Sequence, residues 1–359
     1  MLGNIDKIIE QFDSLNIDGL MITGEWNRRY LSGFTGSNGV ILITRNEKRL
    51  ITDYRYFEQA KDQTEFDIVL HSEHTGHKDG IFDEVARQAN EMNINRLGFE
   101  KQHLSFGFYD KVKNLLTSVL VPTYDLVEDL RMVKSKEELE KLKVASEITD
   151  NAYLHILNFI RPGVTEMAVS DELQRFIKEN GGTTSTFNPI VASGLRSSLP
   201  HGRASEKVIE KGDMVTIDFG ANYNGYWADI SRTVALGEPS TKLQEIQQVV
   251  LKSFQNCAAN IKAGLKDQDV DKLMRNHLIE SGYNNYSGTG TGHGIGLEVH
   301  EKPLFSVQYE KVLKAGMTIT IEPGVYLPGI GGGRVEDVLL ITEDGCEVLT
   351  PSTKELVIV

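Results

Sequence analysis

The tightest constraint on the fold lies between Met214 and Thr233. There two β-rich runs, Met214-Val-Thr-Ile-Asp-Phe and Tyr226-Trp-Ala-Asp-Ile-Ser-Arg-Thr, flank Asn224-Gly225. An Asn-Gly pair between such runs is a strong signal for a two-residue β-hairpin, because both turn residues must adopt positive φ. In that register Tyr223 pairs with Tyr226 and Asp218 falls opposite Ser231. Asp229 is then on the same face as Asp218, diagonal to it at about 7–8 Å between backbones. Two acids so placed repel each other unless a cation sits between them; a solvent-facing pair is the alternative reading.

Three further motifs carry groups of matching chemistry. Thr289-Gly-Thr-Gly-His-Gly-Ile-Gly places His293 in a glycine-rich setting where backbone can approach a ligand closely. Thr318-Ile-Thr-Ile-Glu-Pro-Gly reads as a strand that delivers Glu322 just before a sharp stop. Gly331-Gly-Gly-Arg-Val-Glu-Asp puts Arg334 and Glu336 on one strand face, where an ordinary salt bridge is the simpler reading. Four carboxylates and one imidazole suit two hard or borderline divalent ions, Mn²⁺, Co²⁺ or Zn²⁺, about 3.5–4 Å apart. Such a pair can acidify water and polarise a carbonyl, which are the demands of amide hydrolysis.

The surrounding chain reads as two domains. Over residues 1–130, short apolar runs at Leu20–Thr23, Val40–Thr44, Leu50–Thr52, Ile68–Leu70, Leu97–Phe99 and Val119–Val121 alternate with helical patterns near 4–15, 54–64, 79–92 and 105–117. That pattern is α/β. Asn46-Glu47-Lys48 reads as a hairpin, and 27–38 as an irregular loop with no phosphate-binding glycine pattern. Residues 131–359 read as α+β. Ser135 and Glu138 form a capping box ahead of an apolar stripe from Leu139 to Phe159, and further helices are expected near 165–180, 241–263 and 268–281. A net charge of −13 disfavours nucleic acid or an anionic membrane surface as partner. Cys257 and Cys346 form no metal or disulfide pattern. With no signal peptide and no membrane-length apolar run, a cytoplasmic location is expected.

The ordered set Asp218, Asp229, His293, Glu322 and Glu336 resembles the pita-bread metallopeptidases, which include methionine aminopeptidase, aminopeptidase P and prolidase. Ile190-Val-Ala-Ser-Gly, Pro200-His-Gly, His300-Glu301, Glu322-Pro-Gly-Val-Tyr and Arg334-Val-Glu resemble the Xaa-Pro peptidase branch. So do Tyr30-Leu-Ser-Gly-Phe-Thr-Gly-Ser and Thr52-Asp-Tyr-Arg-Tyr in a creatinase-like first domain.

The resemblance implies that Asp218 chelates one metal, that His293 and Glu322 bind the other, and that Asp229 and Glu336 bridge both. The ions would be Mn²⁺ in the first instance. Glu322 would also handle the proton of the nucleophilic water, which attacks as a metal-bridging hydroxide. His201 and His300 would hydrogen-bond substrate and tetrahedral intermediate, and Arg334 would orient carboxylates from behind. Phe187 and Tyr326 would wall the proline pocket. Substrates would be short peptides with proline second, cleaved as an aminopeptidase or a dipeptidase, and the assembly a homodimer or larger. A metal-independent, creatinase-like hydrolase and an inactive peptide- or protein-binding relative are the rival readings.

Departures from the pattern also carry expectations. Many Xaa-Pro peptidases carry a histidine four residues before His293, where this chain has Thr289, so contacts to the residue after the scissile bond would be weaker. Gly333 and Val338 replace the more usual residues beside Arg334 and Asp337, which could loosen the strand carrying Glu336.

Overall fold

In a computed structural model, residues 2–71, 80–184, 188–288, 290–305 and 311–359 are described. The chain divides into two compact units, Met1–Arg131 and Met132–Val359. No helix among the described residues is long and apolar enough to cross a membrane.

The first unit is built on a six-stranded sheet in the order Asp67–Leu70, Lys48–Thr52, Val40–Thr44, Gly19–Ile22, Arg96–Glu100, Val119–Thr123. Val40–Thr44 runs antiparallel to both neighbours, and the remaining pairs are parallel. The tight turn through Asn46 explains the antiparallel pair, because parallel neighbours need a long crossover. The six strands coincide with the six apolar runs.

Two helical expectations change. The run near 4–15 splits into Leu2–Ile9 and Phe12–Leu15, the second ended by Asn16 in the left-handed conformation. The stretch 27–38, read as an irregular loop, begins inside a helix, Glu25–Ser32, stopped by Gly33 at φ 78°. Its inward face carries Asn27 and Arg28, which hides the apolar periodicity. Arg28 is buried because its guanidinium donates to the Gly39 and Gly36 carbonyls at 2.9 and 2.7 Å.

The second unit contains two helix-on-sheet layers. Helices Lys136–Ile156 and Glu166–Glu179 share a core with the four-stranded sheet Val357–Ile358, Ile230–Ala235, Met214–Phe219, Ile190–Ser193. Helices Thr241–Asn260 and Asp267–Glu280 do the same with the five-stranded sheet Glu301–Leu304, His293–Gly294, Thr318–Ile321, Asp337–Ile341, Cys346–Val348. Three of these helices start where a hydroxyl satisfies a free backbone donor: Ser135, Thr165 and Ser240 accept from the N–H groups of Glu138, Ala168 and Leu243. At Ser135 the Glu138 carboxylate also reaches back, completing the capping box.

The hairpin takes the expected register, with Tyr223 opposite Tyr226 and Asp218 opposite Ser231. The two sheets are joined at one point that matters for the site, a bridge between Ser231 and Glu336.

Candidate metal centre

The five residues come together in the second unit, each delivered by a short β element. Asp218 lies in Met214–Phe219, and Asp229 immediately precedes Ile230–Ala235. His293 opens a two-residue strand, Glu322 follows Thr318–Ile321, and Glu336 sits between Gly331–Arg334 and Asp337–Ile341. The His293 Nε2 atom lies 3.9 Å from Asp229 Oδ2, 3.8 Å from Glu322 Oε1 and 3.9 Å from Glu336 Oε1. These are too long for hydrogen bonds and leave room for an ion between the ligand atoms. Asp229, His293 and Glu336 can each present a ligand atom within 4.8 Å of the others, and all three are buried.

The tautomer of His293 is fixed from behind. Its Nδ1–H donates to the Gly294 carbonyl at 3.0 Å, which leaves the Nε2 lone pair facing the acids. Its backbone N–H donates to Thr320 Oγ1 at 3.1 Å, so the inward threonine of the neighbouring strand holds the histidine. The glycines around His293 are explained by packing. A Cβ at Gly292 would lie 2.0 Å from the Thr320 carbonyl oxygen, and one at Gly294 2.1 Å from that of Lys302. Gly292 and Gly294 thus admit neighbouring strands, a packing role that the sequence did not show.

Electrostatics point the same way. Burial, reinforced by Glu336, Asp218 and Glu322, pushes the Asp229 carboxyl well above its usual range. Burial and then Glu322 and Asp218 do the same to Glu336, and burial raises Glu322. Burial lowers His293, which favours the neutral, ligating imidazole. The buried oxygens Asp218 Oδ1, Asp229 Oδ1 and Glu336 Oε1 have no hydrogen-bond partner. Buried polar atoms are normally paired, and acids crowded in a dry site are costly without a counter-charge. Orphaned oxygens around an imidazole lone pair fit a divalent metal.

One cation is built into the chain, beside this cluster. Arg334 donates through Nη2 to Asp218 Oδ2, through Nε to Ser231 Oγ at 2.7 Å, and through Nη1 to the Tyr326 hydroxyl at 2.6 Å and the Pro200 carbonyl at 2.9 Å. Ser231 Oγ in turn donates to Glu336 Oε2 at 2.7 Å. Arg334 therefore pairs with Asp218, on another strand, rather than with its strand neighbour Glu336.

Comparisons with known proteins agree with this geometry. Residues 4–133 match the creatinase/prolidase N-terminal domain, and residues 140–343 match metallopeptidase family M24. The chain belongs to family M24. A Bacillus subtilis relative, the uncharacterised peptidase YqhT, is 46% identical over 356 residues, covering 99% of each chain. The solved structure of a Xaa-Pro dipeptidase from Bacillus anthracis is 49% identical, with a TM-score of 0.95 over 100% of this chain and 99% of that one. That of an X-Pro aminopeptidase from Thermotoga maritima is 36% identical, with a TM-score of 0.88 over 98% and 100%. The architecture is accordingly the pita-bread catalytic fold preceded by a creatinase-type domain.

Beyond the acids, this M24 site includes His300, whose ring centroid lies 4.3 Å from that of His293. Burial and the neighbouring His293 lower its pKa. His201 is exposed and lies close enough to influence both His300 and Glu322. Tyr326 reaches the site through its hydroxyl, which caps Arg334. Phe187 and Thr289 lie outside the described residues.

A Cβ at Gly333 would lie 2.7 Å from Gln247 Oε1. Val338 is fully buried, and its N–H donates to Thr350 Oγ1 at 3.2 Å. Sequence reasoning missed Ser231 and Thr320. Their only signal is an inward hydroxyl on a strand that also carries, or neighbours, a ligand. It also missed a second, smaller grouping, Glu100, His103 and Glu128 in the first unit, where Asn27 Nδ2 donates to both carboxylates.

Proposed function

We propose that this M24 chain is a dinuclear-metal peptidase that hydrolyses the bond between an N-terminal residue and a following proline. The observation that carries the reading is the buried cluster of Asp218, Asp229 and Glu336, with unpartnered oxygens, around a histidine whose Nε2 lone pair is free. Asp218 would hold one ion, His293 and Glu322 the other, and Asp229 and Glu336 both. When bound, two divalent ions, Mn²⁺ first among them, supply acidified water and a polarised carbonyl.

The chain's own groups do the rest. Glu322, the more open of the acids with 29% of its side chain exposed, accepts the proton of the attacking water and passes it to the leaving nitrogen. A tertiary proline nitrogen carries no N–H, so it must be protonated to leave. His300 and His201 would donate to the oxyanion that develops on the former carbonyl oxygen. Arg334 holds Asp218 through Oδ2, and the unpartnered Oδ1 would be the oxygen that binds a metal ion. Phe187 and Tyr326 would form the proline pocket, and Thr289 would offer a neutral contact where a charged one is common. The protein would act in the cytoplasm as a homodimer or larger assembly.

Both a dipeptidase and an aminopeptidase stand among the solved relatives. The nearer of those two in identity is the dipeptidase, which favours dipeptide substrates for this chain. Mass spectrometry of Ala-Pro and Ala-Pro-Ala digests with Mn²⁺ added tests the reading. Cleavage of Ala-Pro alone is the expected result, cleavage of both would make the chain an aminopeptidase, and cleavage of neither would defeat the assignment.

A further inference from the structure

Behind the Ser231–Glu336 bridge lies a buried ionic network that reaches the C-terminal segment. Arg232 is 1% exposed. Its Nη1 donates to the carbonyls of Ser231 at 3.1 Å and Glu336 at 2.6 Å. Its Nη2 donates to Asp337 Oδ1 at 2.6 Å and Ser352 Oγ at 2.9 Å, and to the Thr350 and Ser352 carbonyls at 3.3 Å each. Asp337 is fully buried and accepts from Thr350 Oγ1 at 2.8 Å. Its Oδ2 lies 3.0 Å from Lys354 Nζ, an ion pair without hydrogen-bond alignment. Lys354 also donates to the Thr350 and Ser352 carbonyls at 2.9 Å each.

Two cations around one buried carboxylate are not an economical source of stability, because desolvation offsets most of the attraction. What the network does supply is geometry. Arg232 bonds the backbone carbonyls of both residues in the inter-sheet bridge. One of them, Ser231, holds Glu336 Oε2 and Arg334 Nε through its hydroxyl. A metal centre tolerates only about 0.5 Å of ligand displacement. The peptide planes that aim Glu336 are thus fixed from the side away from the ligands.

We propose that Arg232, Asp337 and Lys354 are positioning residues for the metal centre, and that the C-terminal segment 350–354 is part of its support. The inference rests on the metal-centre reading above. Lys354 is the informative residue, since it touches none of the four acids or the imidazole and reaches them through Asp337 and the Thr350 and Ser352 carbonyls that Arg232 also bonds.

The test is calorimetric titration of metal-stripped, full-length protein with Mn²⁺ at fixed pH, comparing wild type, Lys354→Met and Lys354→Arg. Lys354→Met is expected to weaken Mn²⁺ binding about 10- to 100-fold, with Lys354→Arg restoring most of it. Unchanged Mn²⁺ affinity in folded Lys354→Met overturns the inference. If that variant does not fold, Ser352→Ala decides, because it removes one acceptor of Arg232: weaker Mn²⁺ binding supports the inference and unchanged binding overturns it. A wild-type protein that binds no Mn²⁺ defeats the metal-centre reading itself, and the inference with it.

Discussion

At the scale of single residues, the five residues that the fold brings together were legible in the sequence because each sits in a short motif whose residue types have few other uses. Asp218 and Asp229 were placed relative to one another by a turn signal alone. What supports them was not legible. Ser231 and Arg232 are ordinary strand residues in sequence, and their roles arise only when a second sheet brings Glu336 alongside. Arg334 offers the sharpest substitution test. Its guanidinium serves four acceptors on four other segments, which the point charge of lysine cannot do. Arg334→Lys is predicted to lower kcat/KM on Ala-Pro about 10- to 100-fold, measured at saturating Mn²⁺.

A pH prediction belongs at the same scale. Without metal, the carboxyls of Asp229, Glu336 and Glu322 sit above their ordinary values, so the folded chain holds more protons than the unfolded one. Their contribution to stability is present at acidic pH and is lost as pH rises through the raised values. Metal must displace those protons, so its binding strengthens as pH rises. The difference in Tm between Mn²⁺-loaded and stripped protein is predicted to widen as pH rises above the ordinary carboxylate range. A constant difference would show that the carboxyls do not compete with metal for protons.

At the scale of elements, the strands were read well because their apolar runs are bounded by turn residues. The helix Glu25–Ser32 was not, because its buried face is polar, with Arg28 satisfied by the Gly36 and Gly39 carbonyls and Asn27 by the Glu100 and Glu128 carboxylates. Gly292 and Gly294 beside His293 have a packing role that the sequence did not show. They are needed because the strand is crowded by the Thr320 and Lys302 carbonyls. Gly294→Ala is therefore predicted to lower stability by about 1–3 kcal/mol through overpacking, read by chemical denaturation of stripped protein. It should also weaken Mn²⁺ binding, since it pushes on the element that carries His293. A variant as stable as wild type would show that the crowding is relieved at no cost.

At the scale of the whole molecule, the two-unit organisation follows from chain length and from the change of pattern near residue 131. The joining of the two sheets through Ser231 and Glu336 is a long-range pairing with no local signature, and it creates the site. Metal bound among these buried acids would couple binding to folding. Mn²⁺ at a hundred times its dissociation constant should stabilise the folded chain by about 2.7 kcal/mol per site. Removing metal with a chelator is predicted to lower Tm and abolish Ala-Pro cleavage together, and restoring Mn²⁺ should recover both.

The central claim is that hydrolysis depends on a pair of ions held by Asp218, Asp229, His293, Glu322 and Glu336. It is tested most directly by titrating stripped protein with Mn²⁺ while following Ala-Pro cleavage and bound metal per chain. The account predicts that activity rises with occupancy and reaches its plateau at about two ions per chain. Full activity in metal-free protein would contradict it.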